Sequence, residues 1–143
     1  MIQIEHEITI NKPLEEVFAF AANPENNPQW QEGLEAVKVA RVPPQVGDSY
    51  SEVRKFLGRE METTLEFATY EPNRRVVTRS VDGPVSFQAE SSFAAVDGAT
   101  QLHTRIEAEA GGFFKLAEGA VAKQLQKTVQ ESSQRLKDLL ENR

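Results

Sequence analysis

The sequence predicts an α+β fold in which an antiparallel sheet of about seven strands packs against one long C-terminal helix. Three observations predict it. Residues 2–109 alternate apolar and polar side chains between short turn signals, as hairpin-linked strands do. Two short helical segments follow the first strand. Residues 111–142 contain no proline and read as one helix of about 30 residues, or about 45 Å.

The first predicted strand covers residues 2–10, where isoleucine occupies four alternate positions and His6 falls on the isoleucine face. Pro13 then suits the first turn of a helix, and Glu15 and Glu16 favour its positive N-terminal end. Prolines at positions 24 and 28 break the chain again before Trp30. This pattern indicates a half-buried strand followed by two short helices.

Turn signals divide the rest of the sheet. The strongest is Asp97-Gly98, which is typical of a two-residue hairpin, and Gly58 marks another hairpin. The last helix is predicted to follow Gly111-Gly112. The other predicted strands are residues 34–42, the stretch from the turn at 47–48 to 57, and residues 59–70, 75–81, 85–96 and 99–109.

Residues that pair across a hairpin turn share one face of the sheet, and this pairing agrees with the hydrophobic alternation along the strands. The agreement, here called hairpin parity, predicts which strand residues face the last helix. The last helix carries an apolar stripe that weakens near Gln124, Thr128 and Ser132. This is either ordinary amphipathic variation or a helix that spans a hollow. The predicted inner face comprises Tyr50, Glu52, Arg54, Phe56, Met61, Thr63, Leu65, Phe67, Val76, Thr78, Ser80, Val85, Phe87, Ala89, Ser91, Phe93, Leu102, Thr104, Ile106 and Ala108. The predicted stripe is Phe113, Leu116, Ala117, Ala120, Leu125, Val129, Leu136, Leu139 and Leu140.

Composition excludes several classes of protein. The 143 residues suffice for one domain spanning 1–143, and the net charge of −6 argues against nucleic acid as a partner. With no cysteine and two histidines, we expect neither a metal nor a cofactor. The N-terminus does not read as a signal peptide, and no stretch approaches the roughly 18 apolar residues of a membrane span. We therefore expect a cytoplasmic protein without stable membrane insertion.

The predicted inner face mixes large apolar residues with small hydroxyl-bearing ones. Such a face would leave a dry core underfilled, and it is typical of a ligand cavity. Alternatively, the hydroxyls bond one another or hold buried water. The candidate ligand-binding residues are Trp30, Tyr50, Glu52, Arg54, Met61, Thr63, Leu65, Phe67, Thr78, Ser80, Phe87, Ala89, Ser91, Thr104, Ile106, Phe113, Leu116, Ala120 and Gln124.

His6, Glu52, Arg54 and Tyr50 are the candidates for catalytic chemistry. His6 is either a general acid or base, or a core residue bonded to a backbone carbonyl. Glu52 and Arg54 either pair and orient a polar ligand group, or are solvated at the rim. Tyr50 could donate a hydrogen bond to a ligand. Trp30 either caps the cavity mouth or packs the short helices against the sheet.

Short motifs add a family resemblance. They are Pro13-Leu14-Glu15-Glu16-Val17-Phe18, Trp30, Gly47, Glu71-Pro72, Arg74-Arg75 and the Gly-Gly-Phe-Phe segment at 111–114. With the order of elements, they resemble the START-like (helix-grip, Bet v 1-like) superfamily, close to its polyketide cyclase/dehydrase and lipid-transport branch, over essentially the whole chain. The resemblance implies a curved antiparallel sheet gripping the last helix, with a cavity between. It carries over no catalytic motif.

The leading hypothesis is a binding protein for a small hydrophobic molecule held between the sheet and the last helix. One alternative is a cofactor-free enzyme of the cyclase or dehydratase type that uses the same cavity. It would need His6, or Glu52 with Arg54 and Tyr50, aimed at one point. Another alternative is a protein-interaction module with an incidental cavity. The chain is expected to be a monomer or a homodimer.

Overall fold

A computed structural model describes residues 1–109 and 117–143 and confirms the α+β fold class. The predicted start of the last helix, including Phe113 and Leu116, lies outside the described residues. A 3-10 turn, Pro24–Asn26, separates the two short helices. The elements are β1 (Ile2–Ile10), α1 (Leu14–Ala21), α2 (Asn27–Trp30), β2 (Leu34–Val39), β3 (Ser49–Phe56), β4 (Arg59–Glu71), β5 (Arg75–Asp82), β6 (Ser86–Val96), β7 (Ala99–Glu109) and α3 (Glu118–Glu141).

The seven strands form one antiparallel sheet in the order β1-β7-β6-β5-β4-β3-β2. Consecutive strands from β2 to β7 are neighbours, and β1 pairs with β7 along its whole length, from Ile2 opposite Ala108 to Ile10 opposite Thr100. Within this sheet, the predicted first strand and last strand have the observed bounds. The alternate apolar residues that predicted these two strands therefore lie on the buried face of the sheet.

Two hairpins are closed by two-residue turns whose central residues both have positive φ. Leu57 and Gly58 have φ of 51° and 76°, and Asp97 and Gly98 have φ of 50° and 81°. Positive φ at both positions is the type I′ geometry, which matches the twist of the flanking strands. Glycine suits this geometry, whereas Leu57 adopts it at a steric cost.

The second strand is shorter than predicted, ending at Val39 rather than at residue 42. The third begins at Ser49, after the predicted turn. Between them, the Arg41 guanidinium donates to both carboxylate oxygens of Asp48, at 2.7 and 2.8 Å. This side-chain bridge closes the connection in place of further ladder bonds.

The pairing of β4 with β5 shifts register twice. The first shift leaves Val81 of β5 as an extra residue, and the second leaves Ala68 of β4 as one. Such bulges bend a strand and strengthen its twist. The second shift also brings Tyr70, rather than an odd-numbered residue, opposite the inward Val76. Curvature of the sheet and the inward position of Tyr70 therefore have the same cause.

Helix α3 covers the concave face with a stripe that, among its described residues, departs from the prediction at Ala120. Ala120 is exposed, and the neighbouring Val121 is buried instead. The prediction was wrong because small alanines at successive positions left the helical phase ambiguous. The buried residues of α3 are Val121, Thr128, Val129, Ser132, Ser133, Leu136 and Leu140.

The two ends of α3 belong to different apolar clusters. Near its C-terminus, Leu136 and Leu140 pack with residues of α1, β1, β6 and β7. Val121, near its N-terminus, and Val129, at its middle, pack with Ile2, Ile4 and Ala108. The small hydroxyl residue Thr128 precedes Val129, and Ser132 and Ser133 follow it.

Side chains of α3 also reach the outer edge of β1. Lys137 Nζ donates to the carbonyl oxygen of Thr9 at 2.7 Å, and Gln126 Nε2 donates to that of Glu5 at 3.5 Å. Just beyond the strand, the backbone N–H of Asn11 donates to Glu141 Oε2 at 2.8 Å. These bonds attach the helix to the sheet edge as well as to its face.

We expect Leu136→Ala to lower the free energy of unfolding by about 2–5 kcal/mol, because Leu136 is 0% exposed and its loss leaves a cavity. Urea denaturation measures this. The matched control is Gln130→Ala, on the exposed side of the same helix, which should change the value by less than about 0.5 kcal/mol. Equal effects of the two substitutions would contradict the placement of α3.

Candidate functional site

A cavity of about 210 Å³ lies between the concave face of the sheet and α3. Strands β3 to β7 supply most of its wall, and the small side chains in the middle of α3 supply the opposite side. Of the two interpretations of the weakened stripe, the structure therefore favours a hollow. The lining residues are Ile2, Trp30, Gln31, Tyr50, Glu52, Arg54, Phe56, Met61, Thr63, Leu65, Thr78, Val85, Phe87, Ala89, Ser91, Thr104, Ile106, Ala108, Val121, Leu125, Thr128, Val129, Ser132 and Ser133.

Most of the candidate ligand-binding residues meet at this cavity. Their role in binding stays a prediction, but the structure brings them together. Those that line the cavity are Trp30, Tyr50, Glu52, Arg54, Met61, Thr63, Leu65, Thr78, Phe87, Ala89, Ser91, Thr104 and Ile106. Those outside its described lining are Phe67, Ser80, Ala120 and Gln124. Phe113 and Leu116 lie outside the described residues.

The residues outside the lining have other contacts. The ring of Phe67 packs beside that of Tyr50, with centroids 5.1 Å apart. The hydroxyl of Ser80 accepts a hydrogen bond from the backbone N–H of Phe87 at 2.9 Å. Gln124 Nε2 lies 3.4 Å from the hydroxyl of Thr128. These side chains support the wall or the strand ladder.

His6 lies on the concave face opposite Thr104 in the β1–β7 ladder and is partly buried. Thr104 lines the cavity, whereas His6 is outside the described lining. The hypothesis that His6 acts as a general acid or base therefore has no support from this geometry.

Several lining residues were absent from the candidate set. Phe56, Val85 and Ala108 have the predicted inward parity, so the same signal could have found them. Gln31 lies in the connection after α2, and no periodic pattern marks it. The complete set is Ile2, Gln31, Phe56, Val85, Ala108, Val121, Leu125, Thr128, Val129, Ser132 and Ser133.

Glu52 and Arg54 form an ion pair in the cavity wall. Arg54 Nε donates to Glu52 Oε1 and Arg54 Nη2 to Glu52 Oε2, both at 3.3 Å. The side chains are 6% and 21% exposed, respectively. The structure thus favours a paired arrangement over two solvated groups at the rim. A buried carboxylate requires such a partner.

The remaining donors of Arg54 bind the segment that follows α2. Its Nη2 also donates to Gln31 Oε1 at 2.6 Å, and its Nη1 donates to the carbonyl oxygen of Glu32 at 3.3 Å. The guanidinium is therefore largely engaged by protein acceptors. The ion pair adds polarity to the cavity wall but no net charge.

The same segment crosses from β3 to α3. The backbone N–H of Glu32 donates to Ser132 Oγ at 2.8 Å, and the Glu32 carboxylate accepts from Arg135 at 2.5 Å. Gly33, with φ of 81°, lies so close to β3 that a Cβ atom there would be 2.4 Å from the carbonyl oxygen of Lys55. Only glycine permits this approach, which brings Gln31 to the cavity wall and Glu32 against α3.

Tyr50 presents a protonated phenol to the cavity. Burial raises the pKa of Tyr50 well above its ordinary value, and the nearby carboxylate of Glu52 raises it further. The hydroxyl of Thr78 and the charge of Arg54 oppose this effect in part. Near neutral pH, Tyr50 can therefore donate a hydrogen bond but cannot act as a base.

Trp30 lies between the α1 cluster and the cavity. The ring packs against the core that contains Phe18 and Leu136, and it also lines the cavity. Both interpretations of Trp30 thus describe part of its position. Its indole Nε1 is buried and has no hydrogen-bond partner among the described residues. This is unusual, because buried polar groups are nearly always bonded.

Two further features of the described residues bear on the site. No group of three or more histidine, aspartate and glutamate side chains there is arranged to hold a metal ion. Within the same residues, no helix combines the length and apolar character needed to cross a membrane.

We expect Arg54→Met to lower the free energy of unfolding by about 3–5 kcal/mol, because it leaves the buried Glu52 carboxylate unpaired. The double variant Glu52→Gln, Arg54→Met should be more stable than this single variant. Chemical denaturation of both proteins gives the comparison. Arg105→Met, in an ion pair on the exposed face, serves as control and should cost less than about 1 kcal/mol.

The raised pKa of Tyr50 predicts that the folded protein loses stability at alkaline pH. Because its pKa is raised in the folded protein, its contribution is complete below pH 10 and falls as the pH rises above the unfolded value of about 10. The expected loss is about 1 kcal/mol between about pH 10 and pH 11. Urea denaturation across this range should show a shallower loss for Tyr50→Phe than for wild type. Tyr70→Phe, at a more exposed phenol, should show a smaller difference from wild type.

Comparison with known proteins agrees with this architecture. The fold is similar to the crystal structure of TTHA0849 from Thermus thermophilus, with a TM-score of 0.83 and 19% identity over 95% of this chain and 94% of that chain. It is also similar to a START superfamily protein from Mycobacterium smegmatis, with a TM-score of 0.81 and 14% identity over 99% of both chains.

A third similar structure is that of Ara h 8.0201, with a TM-score of 0.75 and 11% identity over 99% of this chain and 98% of that chain. At these identities the likeness shows the fold alone. A search of curated proteins found no match. A family model described as polyketide cyclase/dehydrase and lipid transport matches residues 1–141. The chain therefore belongs to the polyketide cyclase/dehydrase and lipid transport family.

Proposed function

We propose that this protein binds a small, uncharged and largely apolar molecule in the cavity between the sheet and α3. The observation that carries the proposal is a cavity of about 210 Å³ whose wall is mainly apolar and whose one described ion pair is internally neutral. Ligand sites in proteins are typically concave and apolar, with a few placed polar groups.

The volume limits the size of the ligand. A water molecule takes about 30 Å³ in the liquid, so the cavity has room for roughly seven waters or a compact molecule of about ten heavy atoms. Burial of about 300 Å² of apolar area would contribute roughly 7 kcal/mol before association costs. After an association cost of at least about 4 kcal/mol, about 3 kcal/mol remains, so a dissociation constant in the millimolar range is expected for a well-fitting hydrocarbon.

The charge distribution favours a neutral ligand. Glu52 is buried in the wall and would repel an anion, while Arg54 already bonds Glu52, Gln31 and the backbone of Glu32. A buried charge without a partner is costly. Binding should therefore depend little on ionic strength, since salt mainly screens exposed charges.

Indane, a bicyclic hydrocarbon of suitable size, tests the proposal. We expect it to shift methyl resonances of Leu65, Ile106 and Val129 in an NMR titration, with similar affinity at low and high salt. Ala89→Trp should weaken this binding at least tenfold, because Ala89 lines the cavity and an indole would fill the space.

The matched control is Gln88→Trp, which places the same ring on the exposed face at the adjacent position of β6. It should bind indane like wild type. Unchanged binding in a folded Ala89→Trp variant would place the ligand elsewhere and refute the proposal. A strong salt dependence would show that the site is electrostatic.

A second candidate is an enzyme of the cyclase or dehydratase type in the same cavity. The observation in its favour is that Tyr50, Glu52 and Arg54 line one cavity, so a proton donor and a carboxylate face the same space. Loss of turnover in Tyr50→Phe, with ligand affinity preserved, would favour catalysis over simple binding.

A further inference from the structure

We infer that the ligand is an uncharged amphiphile whose hydroxyl group binds a cluster of three hydroxyl side chains at one end of the cavity. This inference rests on the proposed function and adds the chemical class and the orientation of the ligand. The cluster comprises Ser91 of β6, Thr104 of β7 and Ser133 of α3, and is called here the hydroxyl subsite. All three residues line the cavity.

The sheet brings two residues of the hydroxyl subsite together. Ser91 stands directly opposite Thr104 in the β6–β7 ladder, so both side chains lie at the same level of the concave face. Towards the start of β6, the next two cross-strand pairs on this face are apolar, namely Ala89 with Ile106 and Phe87 with Ala108. The wall formed by β6 and β7 is therefore polar at one level of the cavity and apolar at the next two.

Helix α3 adds the third residue at a similar level. The helix is attached to β1 at two points, through Gln126 and through Lys137, which bond backbone carbonyls of the strand. Ser133 lies between these two points on the helix. Thr104 pairs with His6, which lies between the two bonded carbonyls on the strand. The helix hydroxyl therefore lies over the strand pair.

Apolar packing closes the cavity just beyond the hydroxyl subsite. The next pair on the concave face is Phe93 with Leu102, and the next buried residue of α3 after Ser133 is Leu136. These three side chains are 6%, 2% and 0% exposed and belong to one apolar cluster. A ligand in the cavity therefore reaches the subsite with one end, and the rest of the ligand lies towards the apolar wall.

The three hydroxyl groups are available to a ligand. Ser133 is 2% exposed, and neither its hydroxyl nor those of Ser91 and Thr104 form a hydrogen bond among the described residues. Within the same residues, the indole Nε1 of Trp30 is the one side-chain polar atom that is both unbonded and inaccessible. The unbonded subsite oxygens therefore keep accessible surface. Because their residues line the cavity, a molecule inside it can reach them.

The chemistry of these side chains selects the polar group of the ligand. A serine or threonine hydroxyl donates one hydrogen bond and also accepts, so a ligand hydroxyl can use both capacities. A wholly apolar ligand that displaces water from the subsite leaves these groups unsatisfied and loses affinity. A carboxylate would bring a second negative charge into the cavity that Glu52 lines. An uncharged hydroxyl is therefore the best match.

The test compares 5-indanol with indane, which share a bicyclic frame and differ by one hydroxyl group. The measured quantity is the hydroxyl preference, the dissociation constant of indane divided by that of 5-indanol, from NMR titrations. We expect the double variant Ser91→Ala, Thr104→Val to lower this preference about tenfold, because it removes two hydrogen-bond partners with little change in volume. Since a ratio is compared, a packing change that affects both compounds equally does not imitate the effect.

The matched control is Thr63→Val, which removes a hydroxyl elsewhere in the same cavity. Thr63 lies opposite Glu52 in the β3–β4 ladder, on a different part of the wall from the hydroxyl subsite. This variant should keep the hydroxyl preference of the wild type.

A second measurement uses the wild type and needs no variant. In the complex with 5-indanol, the ring protons beside the hydroxyl should show nuclear Overhauser contacts to the methyl group of Thr104. The five-membered ring should contact methyl groups of Met61 and Leu125, which line the apolar part of the cavity. The reverse pattern would overturn the proposed orientation.

The contrary outcomes are distinct. A hydroxyl preference that the double variant leaves unchanged would overturn the inference while indane binding leaves the proposed function intact. A preference that disappears in Thr63→Val or Tyr50→Phe, but survives in the double variant, would place the ligand hydroxyl elsewhere in the cavity and also overturn the inference. Failure of both compounds to bind the folded wild type would refute the proposed function and the inference together.

Discussion

The structure depends on one helix having to cover the concave face of a seven-stranded sheet. The helix joins one apolar cluster through Val121 and Val129 and another through Leu136 and Leu140, near its C-terminus. Between its N-terminal part and its middle, the buried face of α3 lines the cavity with Val121, Leu125, Thr128, Val129, Ser132 and Ser133. Because this face carries no large aromatic side chain, it leaves space open against the sheet.

Much of the fold could be predicted from sequence because local rules agreed with tertiary packing. The isoleucine alternation predicted β1 as a strand, and the Asp97-Gly98 turn predicted the hairpin of β6 and β7. The pairing of β1 with β7 is seen in the structure alone. The bulge before Thr69 could not be predicted, because it has no glycine or proline signal and is set by packing across the sheet. The choice between Ala120 and Val121 also depended on where the helix lies against the sheet.

The wall of the cavity was predictable wherever strand parity decided it, but the environment of its polar groups was not. The burial of Glu52 with Arg54 depends on Gln31 and Glu32, which arrive from a different part of the chain. That approach in turn requires Gly33 against β3. The missing partner of Trp30 is likewise a property of three-dimensional surroundings. A sequence pattern indicates which face of a strand or helix a residue occupies. The partners of Glu52, Arg54 and Trp30 depend instead on which other segment of the chain packs against that face.

The contacts between α3 and the rim of β1 have a consequence for self-association. An open sheet has two edges, and the unpaired backbone groups of an edge are a template for another chain. At β1, the carbonyls of Thr9 and Glu5 already accept bonds from α3 side chains. Strand addition at this edge would have to displace the helix that also seals the core. Edge-to-edge growth of this fold is therefore directed to β2, a strand of six residues that carries the charges of Glu35 and Lys38.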